Sequence, residues 1–315
     1  MKSNIKVSVI IPTYKRAAEL KRAVESVISQ TLKEIEIIVV DDNPPESDSR
    51  AKTEKIMEEL QEKDERICYI KHAKNMNGAA ARNTGIKNSQ GKYISFLDDD
   101  DFYLPTKLEK ESKLLDSLSS EYACVICNCY AVRNGVYGKV IEVDGNESPL
   151  QQVLSCTYRV GSGSNLFIRR DVMMECGGFN EKLLRHQDYD VEARVYSKYK
   201  VKKISEPLLC VELYSSHSNI PDLDKAVKYR EEYLRLHKQL IESLPHRKRN
   251  EVYADSYYNL CELAIRNKRL KDARKLYLIS KSYIQTSRNK RIMLIMKCVL
   301  AYMPVNMRKA LRIGR

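Results

Sequence analysis

Four aspartates, Asp98, Asp99, Asp100 and Asp101, follow directly on the apolar run Tyr93–Leu97. Carboxylates on adjacent residues repel one another and raise each other's pKa values unless a cation neutralises them. A hard divalent ion with oxygen ligands is the natural partner, and Mg2+ or Mn2+ typically keeps open positions for substrate phosphates. The chain contains no GxxxxGK[ST] and no GxGxxG, so a metal is expected to hold the phosphates that such loops would otherwise cradle. An acidic run after a helix is usually a solvated turn. After a buried strand it reads as a site, because ligands collect at the carboxyl ends of strands in parallel sheets. Two further polar clusters end apolar runs in the same way: Thr13-Tyr14 after Val7–Ile11, and Asp41-Asp42 after Ile35–Val40.

The elements that must position these clusters follow an alternating rhythm. Val7–Ile11 and Ile35–Val40 are continuous apolar runs, the pattern of strands covered on both faces. Between them Leu20, Val24, Val27 and Ile28 recur at helical spacing. A charged helix around Ile56 and Leu60, a strand at Ile67–Ile70 and a short helix lead to the strand Tyr93–Leu97. This order predicts βαβ units and a mostly parallel sheet flanked by helices, with its strand ends sharing one site. Cys124, Cys127 and Cys129 are close enough to suggest zinc. However, ACVICNC reads equally as an alternating strand, and no second CxxC completes a tetrahedral set. The nine cysteines are expected to be mostly buried thiols.

Taken together, VSVIIPTYKR, EIIVVDDN, GAAARNTGIKNSQGKYISFLDDDD and GGFNEKLLRHQDYD resemble the family-2 inverting glycosyltransferases of the GT-A fold. The resemblance runs in order from Lys6 to Asn219. It implies transfer from a nucleotide-diphospho-sugar with inversion at the anomeric carbon and a divalent metal on the diphosphate. By that resemblance Pro12, Thr13 and Tyr14 line the nucleotide pocket, Asp42 hydrogen-bonds the base, and Arg82 lies near base and phosphates. The family's Asp-x-Asp-Asp motif falls on Asp98, Asp100 and Asp101, which makes Asp100 the metal ligand and puts Asp98 and Asp99 at the ribose. His217 matches a loop position where some relatives place a metal or phosphate ligand. Inverting transfer needs a carboxylate that takes the acceptor hydroxyl's proton, and the family's Glu-Asp pair places that base on Asp188. Gln187 replaces the first acid, and Asp190 is the alternative base. Gly161-Ser162-Gly163-Ser164-Asn165 matches a small-residue segment that borders donor sugar and acceptor in the family; an exposed turn is the other reading.

Net charge divides the chain. From Asp222 onward 23 Lys and Arg face 9 Asp and Glu, a balance of +14, while the first 221 residues carry −1. The expected organisation is therefore a catalytic domain over 1–221 and a basic α-helical region over 222–315. Helical spacing over Ala226–Leu244, then two helices meeting near Asn267-Lys268-Arg269, describe that region. The apolar stretch Ile292–Met303 is flanked by Arg288, Lys290, Arg291 and Arg308, Lys309, Arg312, Arg315. It is too short to span a bilayer and suits either an anionic membrane surface or core packing. Nucleic acid is not an expected partner, since aromatic interleaving is sparse and no nucleic-acid motif appears. A helical adaptor would leave the acidic strand ends unexplained, and a nucleotidyltransferase would not need the QDYD segment. With no signal-peptide run and no membrane-span run, the expected location is cytoplasmic, peripheral on the inner membrane face if the tail binds lipid. The expected partners are a nucleotide-sugar, by family frequency a UDP-sugar, and a saccharide or lipid-linked acceptor.

Overall fold

The computed structural model describes residues 5–133, 135–213, 220–285 and 292–298. They fall into two compact units, Met1–Pro149 with Arg159–Ser215 and Leu150–Tyr158 with Ser216–Arg315.

The first unit is built on one sheet. Strands β1 (Val7–Thr13) and β2 (Ile35–Asp41) are buried along almost their whole length, as a two-sided cover requires. They pair in parallel with each other, β1 with β4 (Tyr93–Phe96) and β2 with β3 (Ile67–Lys71). Because β2, β1 and β4 are parallel neighbours, Thr13, Asp42 and Asp98 all emerge at the same sheet edge. Helix α1 (Ala17–Ile28) buries Leu20, Ala23, Val24 and Val27. Helix α2 (Asp48–Lys63) starts on the Ser47 side chain and α3 (Gly78–Asn88) on Asn77, each accepting from free first-turn amides. Gly85 lets α3 lie close on β1, since a Cβ there would stand 2.4 Å from Ile10 Cγ2.

The rest of the sheet mixes directions. The order among described residues is β3-β2-β1-β4-β8-β6-β9-β5, with β7 on β6. Here β5 is Phe102–Tyr103, β6 Tyr122–Arg133, β7 Val136–Ile141, β8 Phe167–Arg169 and β9 Lys200–Glu212. Strand β8 runs antiparallel to both β4 and β6, so β6 regains the direction of β4 and its carboxyl end joins the same edge. The alternation read in ACVICNC is not expressed as one wet and one dry face. Ala123 through Cys129 are buried throughout, because β6 lies inside the sheet with both faces covered. Its cysteines are free thiols.

Helix α4 (Lys107–Ser117) has no counterpart in the sequence expectations. Its Lys107 and Glu111 are both completely buried, with Lys107 Nζ 2.6 and 2.7 Å from the two Glu111 oxygens and 4.5 Å from the Tyr103 ring centroid. Burial would discharge the ammonium, but Glu111 and the surrounding groups hold the Lys107 pKa above its ordinary value.

Helices α6 (Arg170–Glu175) and α7 (Gln187–Tyr196) belong to the first unit, and the second unit is helical: α5 (Leu150–Leu154), α8 (Leu223–Leu236), α9 (Lys238–Ser243), α10 (His246–Arg266) and α11 (Leu270–Tyr283). The single helix expected over Ala226–Leu244 is interrupted at His237, a buried residue whose ring lies 4.6 Å from that of Tyr233. Helices α10 and α11 meet at Asn267–Arg269 and share a core of Leu260, Cys261, Ala264, Ile265, Ala273 and Leu276. The segment carrying α5 joins them through Arg230, which donates to the Ser155 carbonyl at 2.7 Å, and Gln151, which donates to Glu251 at 2.8 Å. Residues 292–298 are helical, and residues 299–303 of the apolar tail segment lie outside the described residues. No described helix is long and apolar enough to cross a membrane.

Breaking a buried ion pair strands a charge, whereas replacing both partners need not. Glu111→Ala should therefore cost about 3–5 kcal/mol in urea unfolding, and Lys107→Met with Glu111→Leu together should cost far less.

Candidate active site

At the carboxyl edge of β1, β2 and β4 a cleft of about 420 Å³ is lined by Pro12, Thr13, Tyr14, Arg16, Asp42, Asn75, Asn77, Gly78, Ala81, Arg82, Asp98 and Asp99. All seven residues that the sequence nominates for nucleotide binding are among them. Arg16, Asn75 and Asn77 are additions. Arg16 ends the VSVIIPTYKR motif, and a cation just past a polar strand end was its available signal. The 75–77 loop carries no such mark.

The four aspartates turn to four different sets of partners. Asp98 accepts from Arg82. Asp99 accepts from Thr13 Oγ1 at 2.8 Å, the Tyr14 amide at 3.3 Å and Arg16 at 3.0 Å. Asp100 lies 2.8 Å from the same Arg16 guanidinium, while its carbonyl accepts from Arg22 at 2.7 Å. Asp101 accepts from Ser162 Oγ at 2.7 Å, Ser164 Oγ at 2.6 Å and the Glu212 amide at 3.1 Å. The repulsion anticipated from adjacency is thus spread over two arginines, three hydroxyls and two backbone amides. Burial still dominates the pKa values. It pushes Asp99 up to about 6 against the pull of Arg16 and Thr13, and it raises Asp100 and Asp101 as well.

Asp42 is held differently. His72 Nδ1 and the Met76 amide meet its Oδ1, each at 2.8 Å, and Asn75 Nδ2 and the Asn77 amide meet its Oδ2 at 2.8 and 2.9 Å. A carboxylate offers about four acceptor sites, so the chain's own donors fill them, and a nucleobase donor would have to displace one. In this state Asp42 fixes the 75–77 loop, and Asn77 in turn caps α3, which carries Arg82.

The turn Gly161–Asn165 is not a free loop. Ser164 Oγ accepts from the Asp98 amide at 2.9 Å while donating to Asp101, so this turn clamps the end of β4. Its small residues are visible in the sequence, but this anchoring is not. Gly163 faces Asp188: a Cβ built there would stand 3.4 Å from Asp188 Oδ1. Asp188 sits in the first turn of α7 (Gln187–Tyr196), half-buried, where a helix N-terminus favours a carboxylate. Its pKa is nevertheless raised, by burial first and by Asp98, with Arg82 opposing. Arg82 has the converse balance: burial would lower its pKa, but Asp98 and Asp188 hold it above the ordinary value. Asp190, the alternative base, is buried and paired with Arg194 at 2.6 Å. Below the first turn Glu192 is buried with its Oε2 lacking a hydrogen-bond partner among the described residues, and burial followed by Asp188 raises its pKa strongly.

Among the described residues no three His, Cys, Asp or Glu side chains come together as a metal cage. His217 lies outside the described residues. The Asp100 carboxylate, with its side chain only 15% exposed, is a hard oxygen donor that shares Arg16 with the cleft residue Asp99. It fits an ion such as Mg2+ or Mn2+ that completes its shell with phosphate oxygens and water.

The family model for glycosyl transferase family 2 matches residues 8–177, more than half of the chain. The protein belongs to that family. This family-2 chain is 32% identical over 183 residues to a GalNAc(5)-diNAcBac-PP-undecaprenol beta-1,3-glucosyltransferase of Campylobacter jejuni, which covers 56% of the chain and 55% of the relative. Among solved structures it is similar to Staphylococcus aureus TarS 1–349 in complex with UDP-GlcNAc, with TM-score 0.58, 17% identity, and 89% and 92% of the two chains covered. It is also similar to a mannosyltransferase, PcManGT, from Pyrobaculum calidifontis in complex with GDP-Man and Mn2+. There the TM-score is 0.56 at 16% identity, with 95% and 81% covered. The family-2 enzyme has the GT-A fold, with C-terminal helices in addition.

Asp42→Asn would turn an amide group toward two donors. We expect a loss of about 1–3 kcal/mol of stability in urea unfolding, together with weaker nucleotide binding by calorimetry as the 75–77 loop loosens.

Proposed function

We propose that this glycosyltransferase moves a hexosyl or N-acetylhexosaminyl unit from a nucleotide-diphospho-sugar to an acceptor hydroxyl with inversion, Asp188 acting as base. The observation that carries this reading is one cleft in which Tyr14, Arg82, Asp98 and Asp99 converge, with Asp100 beside it in sequence and Asp188 in electrostatic reach of Arg82. The donor is a UDP-sugar in the first instance. The UDP-GlcNAc in TarS supports this, while the GDP-Man in PcManGT keeps a guanosine donor in the test. The name of the Campylobacter relative supports a lipid-linked saccharide acceptor, and with it we propose a place in bacterial surface polysaccharide assembly.

In this scheme Pro12, Thr13, Tyr14 and Asp42 bound the nucleoside, with Asp98 and Asp99 toward the ribose. Arg16 and Arg82 supply positive charge toward the diphosphate. The acceptor oxygen attacks the anomeric carbon, its proton passes to a Asp188 carboxylate oxygen, and the bond from that carbon to the diphosphate oxygen breaks. The leaving group is the nucleoside diphosphate, and Arg82 remains charged throughout because of its acidic neighbours. Asp100 would hold Mn2+ or Mg2+, with His217 a second proposed ligand; when bound, the ion neutralises charge on the departing diphosphate. Asp190 stays the second choice for the base, since it is buried and its Oδ2 pairs with Arg194.

Two tests address this scheme. Calorimetry with UDP, GDP and their sugar derivatives should give metal-dependent binding that Asp100→Asn abolishes while circular dichroism stays unchanged; equal affinity in chelator would remove Asp100 from the role. In the second, Asp188→Asn should retain donor binding and lose about 10²-fold or more in kcat. Because the Asp188 pKa is raised in the free enzyme, the acid limb of kcat/KM should lie above the ordinary carboxylate range, rate falling as pH falls through it. Arg82 opposes that rise, so Arg82→Gln should move the limb to still higher pH. An unshifted limb, or an active Asp188→Asn, would reject the assignment.

A further inference from the structure

Among the described residues of the helical unit, large apolar side chains stand exposed to water. Residues 292–298 turn Leu294 into the core at 7% exposure, yet Ile292, Met293, Ile295 and Met296 stand 47%, 49%, 65% and 58% exposed. Beside them an open groove of about 420 Å³ is lined by Cys261, Ile265, Ala273, Tyr277 and Leu294, with Leu270, Arg274 and Ile295 also on its lining. Helix α11 continues the patch. Leu270, Arg274 and Leu278 recur at i, i+4 and i+8, with Lys281 three residues further, so all four project on one face. The two leucines are 46% and 54% exposed, and Arg274 and Lys281 are exposed as well.

Two features identify the occupant. The first is the contiguous exposed apolar surface, larger than isolated surface residues explain. The second is the charge that accompanies it: cations interleave with the exposed leucines on α11, and the chain from Asp222 onward carries +14. A leucine–cation stripe lets long basic side chains reach outward while apolar neighbours enter an acyl boundary. A protein groove of like composition would need an acidic, apolar partner, and a bare basic face would need no exposed leucines.

We propose that the face formed by residues 292–296 and by Leu270, Arg274, Leu278 and Lys281 is a docking surface for an anionic lipid bilayer. The apolar side chains enter the acyl boundary and the cations meet the headgroups. The inference is independent of the transferase reading, since none of these residues belongs to the cleft.

The test uses the full chain. Sedimentation with phosphatidylcholine vesicles containing phosphatidylglycerol should retain the protein, vesicles of phosphatidylcholine alone should not, and added salt should weaken retention. Arg274→Glu with Lys281→Glu should cut partitioning at least tenfold, since each cation near an anionic surface contributes about fivefold. Ile295→Asp with Met296→Asp, both exposed and so tolerable to the fold, should do the same through the apolar term. Calorimetric nucleotide binding should be unchanged in both double variants. Equal retention on neutral and anionic vesicles, equal retention of wild type and variants, or no retention at all would each overturn the proposal. A concentration-dependent dimer in gel filtration, lost in the Ile295/Met296 variant without any lipid binding, would assign the face to a second copy instead.

Discussion

The end of β4 carries four carboxylates on consecutive residues, and the surrounding structure is organised to keep them apart. They are drawn toward several elements, although Asp99 and Asp100 share the Arg16 guanidinium. Asp98 goes to α3 through Arg82, Asp99 to β1 through Thr13, Asp100 to the Arg16 that opens α1, and Asp101 to the turn at Gly161–Asn165 and the end of β9. Collected in one place, these charges would repel one another in a poorly solvated setting. Distributed, they fasten the carboxyl edge of the sheet at four points and leave a cleft between the fastenings.

That arrangement requires the strand directions observed. Parallel β2, β1 and β4 bring three chain exits side by side, and the antiparallel β8 returns β6 to the same heading. Small residues then set the distances. Gly85 admits α3, and with it Arg82, close to β1, while Gly163 lies within ordinary contact distance of the Asp188 carboxylate. The cleft therefore follows from sheet direction and from missing side chains as much as from the charged groups that line it.

The parallel half of the sheet was legible because burial on both faces writes itself as unbroken apolar runs such as Val7–Ile11. The strand-end residues were legible because polar side chains directly after such runs have few other places to go. Three things were not. The burial of β6 was hidden by Cys and Asn, which look polar enough to suggest alternation. Helix α4 was hidden because its inward face includes Lys107 and Glu111, which hydrophobic periodicity counts as solvent-facing. The anchoring by Ser162 and Ser164 was hidden because a hydroxyl in a glycine-rich turn gives no sign of a partner some sixty residues away. The family resemblance supplied the roles expected of Asp42 and Asp188, and local geometry then added what each is bonded to or packed beside.

The buried Lys107–Glu111 pair also bears on how the enzyme responds to heat. Hydration of charged groups becomes less favourable as temperature rises, so the penalty for keeping this pair dry shrinks on warming. Apolar burial per unit area levels off over the same range. Helix α4 lies directly after β5, which itself follows the aspartate run, and the Lys107 ammonium lies against the β5 ring of Tyr103. The backbone just downstream of the four carboxylates is thus braced by an interaction that grows relatively stronger with warming, while the apolar packing around it does not.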